Sequence, residues 1–417
     1  MRYFFWLGFF LFCLHAHAFE TVKGFNLTET RDFKYDAAEG GGGKTPAQLA
    51  VDQALRLGAN HIILNVQAIM VGPYSSEITP VTPPSERTNE LRRMSRLIKY
   101  IKSNKMTVGL RPIFFVLGPT GEFPYLEPQP DGSLKTWWHG NIQPKDANRW
   151  FESFRVFLDA YATVARFAKV EEFTIGAELH SMTVGIEDQW KEHPYGFPGR
   201  WLELLRFVRS KLPGVRLMYD INFTDDSVNN GELTASGGEF ERWRYRIVDL
   251  ADRADPAERE IWLNLTNFWK ELDAVGIDMY RSLASANQPI PRERAALVAL
   301  LRQRSDSFGT QMDTALTQIS LTLDAEKVII FKELGYRSVE NGFVDPYGYS
   351  GSGIVNTLHQ ADAYQAMFLS FWEPKWPWFK GFNFWDISVD PSKSGEADNG
   401  FNPVGKAETE AVLRKYW

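Results

Sequence analysis

The sequence predicts an α/β fold, a (β/α)8 TIM barrel with long insertions in the βα loops. Eight short apolar runs alternate along the chain with longer segments of helical periodicity. Strands that alternate with helices pair in parallel, as they do in this barrel. No G-x-G-x-x-G turn follows the first run, which argues against a doubly wound dinucleotide-binding sheet.

The predicted strands are runs rich in aliphatic and aromatic residues. They cover residues 22–27, 61–69, 106–115, 171–179, 215–223, 274–280, 327–335 and 381–388. The predicted helices have apolar residues at intervals of three and four. They cover residues 45–58, 88–104, 146–168, 198–212, 255–273, 292–323 and 357–374. Thr45-Pro46 is a favourable start for the first of these helices.

The loops after the strands are predicted to hold most of the surplus residues. A barrel of this kind needs about 250 residues, whereas the chain has 417. The insertions cover residues 116–145, 181–197, 224–254, 339–356 and 386–406. Because these loops form the catalytic face of such a barrel, they favour an enzyme that grips an extended substrate.

The first 18 residues have the pattern of a secretory signal peptide. Arg2 precedes a short apolar run, and Ala16-His17-Ala18 forms an A-x-A cleavage pattern. The run is too short for a membrane span, and no second apolar run of about 18 residues follows it. We therefore expect residues 1–18 to be removed and residues 19–417 to form a single catalytic domain. The mature protein is then secreted or periplasmic and free of the membrane.

Composition limits the partners of the protein. The formal net charge is −6, which argues against a nucleic-acid partner because nucleic-acid-binding proteins present a basic face. The 14 tryptophans suit a carbohydrate ligand, because flat indole rings stack on sugar rings. Cys13 is the only cysteine and lies in the predicted signal peptide, so the mature chain has no cysteine nucleophile or metal ligand. We expect a monomer that binds a polysaccharide or an oligosaccharide.

Two glutamates end predicted strands, where barrel strands point into the active site. Glu178 ends the fourth strand and Glu333 the seventh. Alternation places Ile329, Phe331 and Glu333 on one side of the strand, and a charge on an apolar row is costly unless it is used or paired. One such glutamate is as readily explained by a salt bridge at the barrel rim. Two on one pocket floor indicate cleavage of a glycosidic bond.

Several segments resemble retaining glycosidases of clan A, and most closely glycoside hydrolase family 113, whose known members are mainly endo-acting mannan hydrolases. The segments are "FTIGAELHS" (173–181), "VGIDMYRSL" (275–283), "FKELGYRS" (331–338), "GFNFWDIS" (381–388) and the closing "DNGFNPVGKAETEAVLRKYW". The resemblance implies that Glu178 is the acid/base and Glu333 the nucleophile. It also implies that Tyr280 donates a hydrogen bond to Glu333 and that Trp385 floors the subsite where the sugar distorts.

The sequence departs from the clan at one position next to the acid/base. Many clan A enzymes have an asparagine there that holds the sugar 2-hydroxyl, and this chain has Ala177. Asn222, at the end of the fifth strand, is the candidate for that contact. Asp278, at the end of the sixth strand, is a further candidate substrate contact. The insertions at 224–254 and 292–323 exceed those of a plain mannanase, which leaves the substrate open.

Other candidates for substrate binding are aromatic. His180 either lines the pocket or makes a hydrogen bond at the rim, and Trp137 and Trp138 form either a sugar platform or a hydrophobic plug. We expect no metal and no cofactor, because the Asp-rich loop 386–400 lacks the ligand spacing of an EF-hand and no H-E-x-x-H motif is present.

The leading prediction is an exported retaining glycoside hydrolase that cleaves a β-linked polysaccharide, favoured as an endo-β-1,4-mannanase, by a two-glutamate double displacement. One alternative keeps the chemistry and changes the polymer: a muramidase-like hydrolase of peptidoglycan glycan strands, including deacetylated ones. The other alternative is a non-catalytic glycan-binding barrel. Retention of both glutamates and of Tyr280 argues against that last alternative.

Overall fold

The computed structural model describes residues 20–30, 34–35, 43–186, 189–230, 233–252, 255–348 and 353–417. The predicted signal peptide, residues 1–18, lies outside these residues. None of the helices in these ranges combines the length and the apolar composition that crossing a bilayer requires.

Eight parallel strands form a closed barrel, which confirms the predicted fold. They are β1 (Val22–Thr28), β2 (His61–Val71), β3 (Thr107–Leu117), β4 (Glu172–Ala177), β5 (Arg216–Phe223), β6 (Ala274–Met279), β7 (Ile329–Leu334) and β8 (Phe379–Ser388). Each strand pairs with the next in chain order, and β1 pairs with both β2 and β8. Closure of the sheet brings the carboxyl ends of all eight strands to one face of the barrel.

A helix follows each strand and covers the barrel. These helices are α1 (Pro46–Arg56), α2 (Arg87–Ser103), α3 (Ala147–Ala168), α4 (Pro198–Lys211), α5 (Pro256–Glu271), α6 (Arg294–Leu323), α7 (Thr357–Met367) and α8 (Ala407–Tyr416). The predicted start of α1 is a capping box: Thr45 Oγ1 accepts from Gln48 N, and Gln48 Oε1 accepts from Thr45 N.

The insertion at 224–254, which was predicted to be a loop, contains a helix. This helix spans Gly238–Val248, and Phe240, Trp243 and Ile247 on it are fully buried. Their spacing of three and four residues is the helical signal, which the preceding glycine pair and the short length obscured. The insertion at 116–145 forms a hairpin of Tyr125–Pro128 and Leu134–Trp137.

A buried ion cluster crosses the barrel interior below the catalytic face. The Lys332 Nζ on β7 donates to Glu172 Oε1 on β4, and both side chains are fully buried. Arg216 on β5 lies 3.1 Å from the second Glu172 oxygen. Burial lowers the pKa of the neighbouring His61 to about 3, so this imidazole is neutral. The pair ties together the two strands that lead to Glu178 and Glu333.

Candidate active site

One arginine organises the carboxyl ends of four strands. Arg111, on β3, is almost completely buried. Its Nε donates to Asp220 Oδ2 at 2.7 Å, its Nη2 to Asp278 Oδ2 at 2.6 Å, and its Nη1 to Glu333 Oε1. Because these carboxylates come from β5, β6 and β7, a single guanidinium fixes the relative positions of those strand ends.

Three carboxyl groups compete for the charge of that guanidinium. Burial raises the pKa values of Asp220 and Glu333, and it raises the pKa of Asp278 well above its ordinary value. Full ionisation would leave uncompensated negative charge in a dry site. Burial therefore disfavours the anion of the completely buried Asp278, while the charge of Arg111 favours the anions of all three carboxyl groups.

Glu333 is held by two donors. Tyr280 Oη donates to Glu333 Oε2 at 2.6 Å, while Arg111 occupies Oε1. Burial, followed by the charge of Glu333, raises the pKa of Tyr280 well above its ordinary value, so the hydroxyl keeps the proton it donates. The Glu333 side chain remains 12% exposed, which leaves it open to a ligand.

Glu333 does not reach the pocket by the alternation that the sequence suggested. Phe331 packs outward against Phe371 with ring centroids 4.8 Å apart, whereas Lys332 and Glu333 both face the barrel interior through Glu172 and Arg111. The register of β6 and β7 shifts between Phe331 and Glu333. A bulge at Lys332 therefore turns the glutamate inward, since an extra residue breaks the two-residue period.

Glu178 follows β4 in an unusual backbone conformation. Its φ is 54°, in the left-handed region, which costs a residue with a Cβ on the order of 1 kcal/mol. Its N–H donates to Asp220 O at 2.8 Å, and its Oε2 lies 3.0 Å from His139 Nε2. The Glu178 side chain is 16% exposed. The charge of Glu178 also raises the pKa of Glu333, after the larger effects of burial and of Arg111. The two carboxyl groups are therefore neighbours.

An aromatic group lies beside Glu178. The half-buried Trp138 makes edge contacts with His139 and His180, with ring centroids 5.0 and 5.2 Å apart. Burial lowers the pKa of His180 well below its ordinary value, so it is neutral. The predicted rim hydrogen bond is not made by its Nδ1, which is buried without a partner among the described residues. His180 and Trp138 are thus half-buried side chains that lie beside His139 and Glu178.

Three predicted substrate contacts lie too deep to meet a ligand in this structure. Trp137 is 1% exposed and donates from Nε1 to Glu127, so it is a plug rather than a sugar platform. The Asp278 carboxyl is covered and bound to Arg111. Asn222 is covered as well, and its Oδ1 accepts a backbone hydrogen bond. Strand-end position alone does not reveal this depth for Asp278 and Asn222, whereas the burial of Trp137 fits the plug alternative.

Trp385, the predicted floor of a sugar subsite, is partly exposed, unlike those three residues. It is half-buried, lies within β8 and is joined to Asp386 by a cis peptide bond. A Cβ built on Gly335 would lie 3.3 Å from the Trp385 Cβ, so the indole adjoins the chain just after Glu333. This position is consistent with a subsite floor.

The Asp-rich loop after β8 is organised by an ammonium group. Lys406 Nζ donates to Asp398 Oδ2 at 2.9 Å and to Gly400 O at 3.1 Å. Across the part of the chain that the structure describes, no group of three or more His, Cys, Asp or Glu residues is arranged to hold a metal ion.

Arg111 and His139 are the site residues that sequence reasoning missed. A signal existed for Arg111, because it is a lone cation in the apolar strand "TVGLRPIFF" and the cost of burying an unpaired charge applies to it as much as to the glutamates. His139 had no such signal, because a loop histidine is ordinary until the fold places it beside Glu178.

Comparison with known proteins agrees with this fold. The model of glycoside hydrolase family 113 matches residues 32–194 and 257–406. A solved β-1,4-mannanase of that family shares 18% identity and a TM-score of 0.59, covering 95% of this chain and 98% of its own. The family 113 β-mannanase AaManA from Alicyclobacillus acidocaldarius, in complex with ManMIm, shares 17% identity and a TM-score of 0.59, covering 95% of this chain and 97% of its own. Curated protein sequences gave no significant match.

Proposed function

The chain belongs to glycoside hydrolase family 113, and from this premise we propose that it is an endo-β-1,4-mannanase that retains the anomeric configuration. Family membership makes it a glycosidase, which argues against the non-catalytic glycan-binding alternative. The observation that carries the mechanism is the different treatment of two neighbouring glutamates. Glu333 accepts from Arg111 and Tyr280, whereas Glu178 faces a single imidazole.

Glu333 is the proposed nucleophile. Hydrogen bonds from Arg111 and Tyr280 favour its anion and fix the direction in which the carboxylate points. In the first step a Glu333 oxygen bonds to the anomeric carbon as the glycosidic C–O bond breaks. The leaving oxygen takes a proton from Glu178, so the released sugar departs as an alcohol and a glycosyl ester remains on Glu333.

Glu178 reverses its role in the second step. Its carboxylate takes a proton from water, and the resulting oxygen nucleophile attacks the anomeric carbon from the face that the first leaving group occupied. The ester bond breaks and the electron pair returns to Glu333. Two inversions give net retention, and Glu178 is again protonated for the next cycle.

Two observations support β-mannan as the proposed substrate. The family 113 enzymes with the same fold are described as β-mannanases, and each aligns with 95% of this chain. Trp138 contacts His139 beside Glu178, and Trp385 lies next to Gly335, just after Glu333; both indoles are half-buried, and indole rings are suited to stacking on sugar rings. Peptidoglycan hydrolysis uses the same chemistry, and the assay below separates the two polymers.

On a panel of β-mannan, cellulose, xylan, and native and deacetylated peptidoglycan, we expect β-mannan to be cleaved fastest, with oligosaccharides as early products. Proton NMR of the fresh products should give the β-anomer first, because a double displacement retains configuration. The Glu333→Ala protein, which lacks the proposed nucleophile, is the negative control. Preferential release of peptidoglycan fragments would favour the muramidase-like alternative, and an initial α-anomer would contradict retention.

We further propose that the protein is exported and that residues 1–18 are removed. Expression with export intact should yield a secreted or periplasmic protein whose first residue is Phe19, as read by mass spectrometry of the amino-terminal peptide. That product should give no signal with a thiol reagent, because Cys13 leaves with the signal peptide. Recovery of full-length protein in the membrane fraction would contradict cleavage.

A further inference from the structure

Glu239 is a buried acid that the proposed reaction does not use. It lies in the first turn of the helix Gly238–Val248 and is 0% exposed. It also lies between the two segments, 32–194 and 257–406, that match the family model. Its Oε1 accepts from Tyr219 Oη at 3.0 Å and from Trp243 Nε1 at 3.1 Å, with Thr183 Oγ1 a third donor at 3.3 Å.

A short chain of hydrogen bonds joins Glu239 to the backbone of Glu178. Tyr219 Oη donates to Glu239 and accepts from Leu179 N at 2.9 Å. The other peptide group of Glu178, its own N–H, is held by Asp220 O at 2.8 Å. Both peptide groups around the Glu178 Cα are therefore fixed. A left-handed glutamate needs such support, because its φ of 54° is unfavourable and persists only when the surroundings impose it.

The helix that carries Glu239 is placed against β5 by a glycine. Gly238 has a φ of +55°, and a Cβ there would come within 2.5 Å of Asn222 Oδ1. The close approach lets Glu239 N donate to that same oxygen at 2.9 Å. Asn222, predicted to bind the sugar, instead anchors the start of the helix.

The carboxyl group is suited to a neutral supporting role. Burial raises the pKa of Glu239 to about 8, and the negative charge of Glu178 adds to the shift, while hydrogen bonds from Trp243 and Tyr219 oppose it. At pH 7 most of the Glu239 carboxyl groups are protonated. The neutral group then holds Tyr219 without adding a full negative charge near Glu178.

We propose that Glu239 is a positioning residue that aims Glu178 at the leaving oxygen by way of Tyr219 and Leu179. The inference rests on the proposed roles of Glu178 and Glu333. If it holds, loss of Glu239 impairs proton transfer to the leaving group and spares attack by Glu333, so the damage depends on how much acid help the leaving group needs.

The test compares kcat/KM on a manno-oligosaccharide with kcat/KM on a 2,4-dinitrophenyl β-mannoside, whose leaving group departs without a proton. Glu239→Leu should lower the first value about 10²-fold, the order of loss expected from misplacing a catalytic group, and leave the second within about threefold. Glu239→Gln keeps an acceptor for Tyr219 and should restore most of the loss. Glu241→Gln is the matched control, because Glu241 lies on the same helix turn, is buried and pairs with Arg244.

An equal loss on both substrates would overturn the inference in favour of a general structural role, and no loss on either would also overturn it. If Glu239→Leu does not fold, Tyr219→Phe removes the connecting hydroxyl alone and should give the same dependence on the leaving group.

Failure of the proposed function gives a different result. If the wild type prefers another β-glycan, the comparison is made with that sugar's dinitrophenyl glycoside, and the expected pattern is unchanged.

Discussion

Replacing Glu333 by alanine should lower kcat by roughly 10⁴-fold or more, the scale seen when an enzyme loses its nucleophile. No glycosyl ester can form without this carboxylate; Tyr280 would also lose the carboxylate to which it donates, and Arg111 would lose one of its three carboxyl partners. The rate of β-mannan cleavage by the two proteins measures this loss. Added azide should restore turnover on a dinitrophenyl glycoside by direct attack on the opposite face, giving a glycosyl azide of inverted configuration.

Glu178→Ala should respond to the leaving group and to azide differently from Glu333→Ala. It should retain the first step on a dinitrophenyl glycoside, because that leaving group needs no proton, while hydrolysis of the ester slows for want of a general base. Azide should rescue the second step and give a glycosyl azide of retained configuration. A reversed pattern between the two variants would exchange the roles of Glu178 and Glu333. Wild-type activity in both would contradict the site.

Arg111→Met should destabilise the protein by about 3–5 kcal/mol at neutral pH, because it leaves buried carboxylates without their counter-charge. Burial already raises the pKa values of Asp220, Asp278 and Glu333, and loss of the cation raises them further. A carboxyl group whose pKa is higher in the folded state costs stability as pH rises above its unfolded value, about 4. The free energy of unfolding should therefore differ least from wild type below pH 4 and most near pH 8.

The control for this variant is an arginine in an exposed ion pair. Arg206 binds Glu271 on the outer surface with its side chain 59% exposed, so Arg206→Met should cost no more than about 1 kcal/mol and leave activity intact. Chemical unfolding at several pH values measures both variants. An Arg111→Met protein as stable as wild type across this range would refute the view that Arg111 compensates the three carboxyl groups.

The barrel could be predicted from the sequence because its signals are local. Each strand is a continuous apolar run, each barrel helix has its own period, and the order of the two dictates parallel pairing. The helix Gly238–Val248 was missed because two glycines read as a loop. Glu178 and Glu333 were singled out because they end predicted strands, and the roles proposed for them and for Tyr280 come from the resemblance to a known family.

Depth and partnership were not predictable in the same way. Trp137 and Trp138 are adjacent in the chain, yet the first is covered and the second is half-buried beside His139, where the hairpin ends and the His139–Asn141 segment begins. The bulge that turns Glu333 inward depends on pairing with β6. His139 acquires its role from a residue 39 positions away, which a single sequence cannot indicate.

The buried ion pairs also bear on how the chain assembles. Arg111 lies in the first half of the barrel, β1 to β4, whereas all three of its carboxyl partners lie in the second half, β5 to β8. The Glu172–Lys332 pair crosses the same boundary. These ion pairs can therefore form only when the two halves meet, and before that each half holds charged groups that lack these partners. We expect water to leave the barrel interior only when the two halves dock. A growing chain should therefore have no catalytic pocket until its seventh strand has joined the barrel.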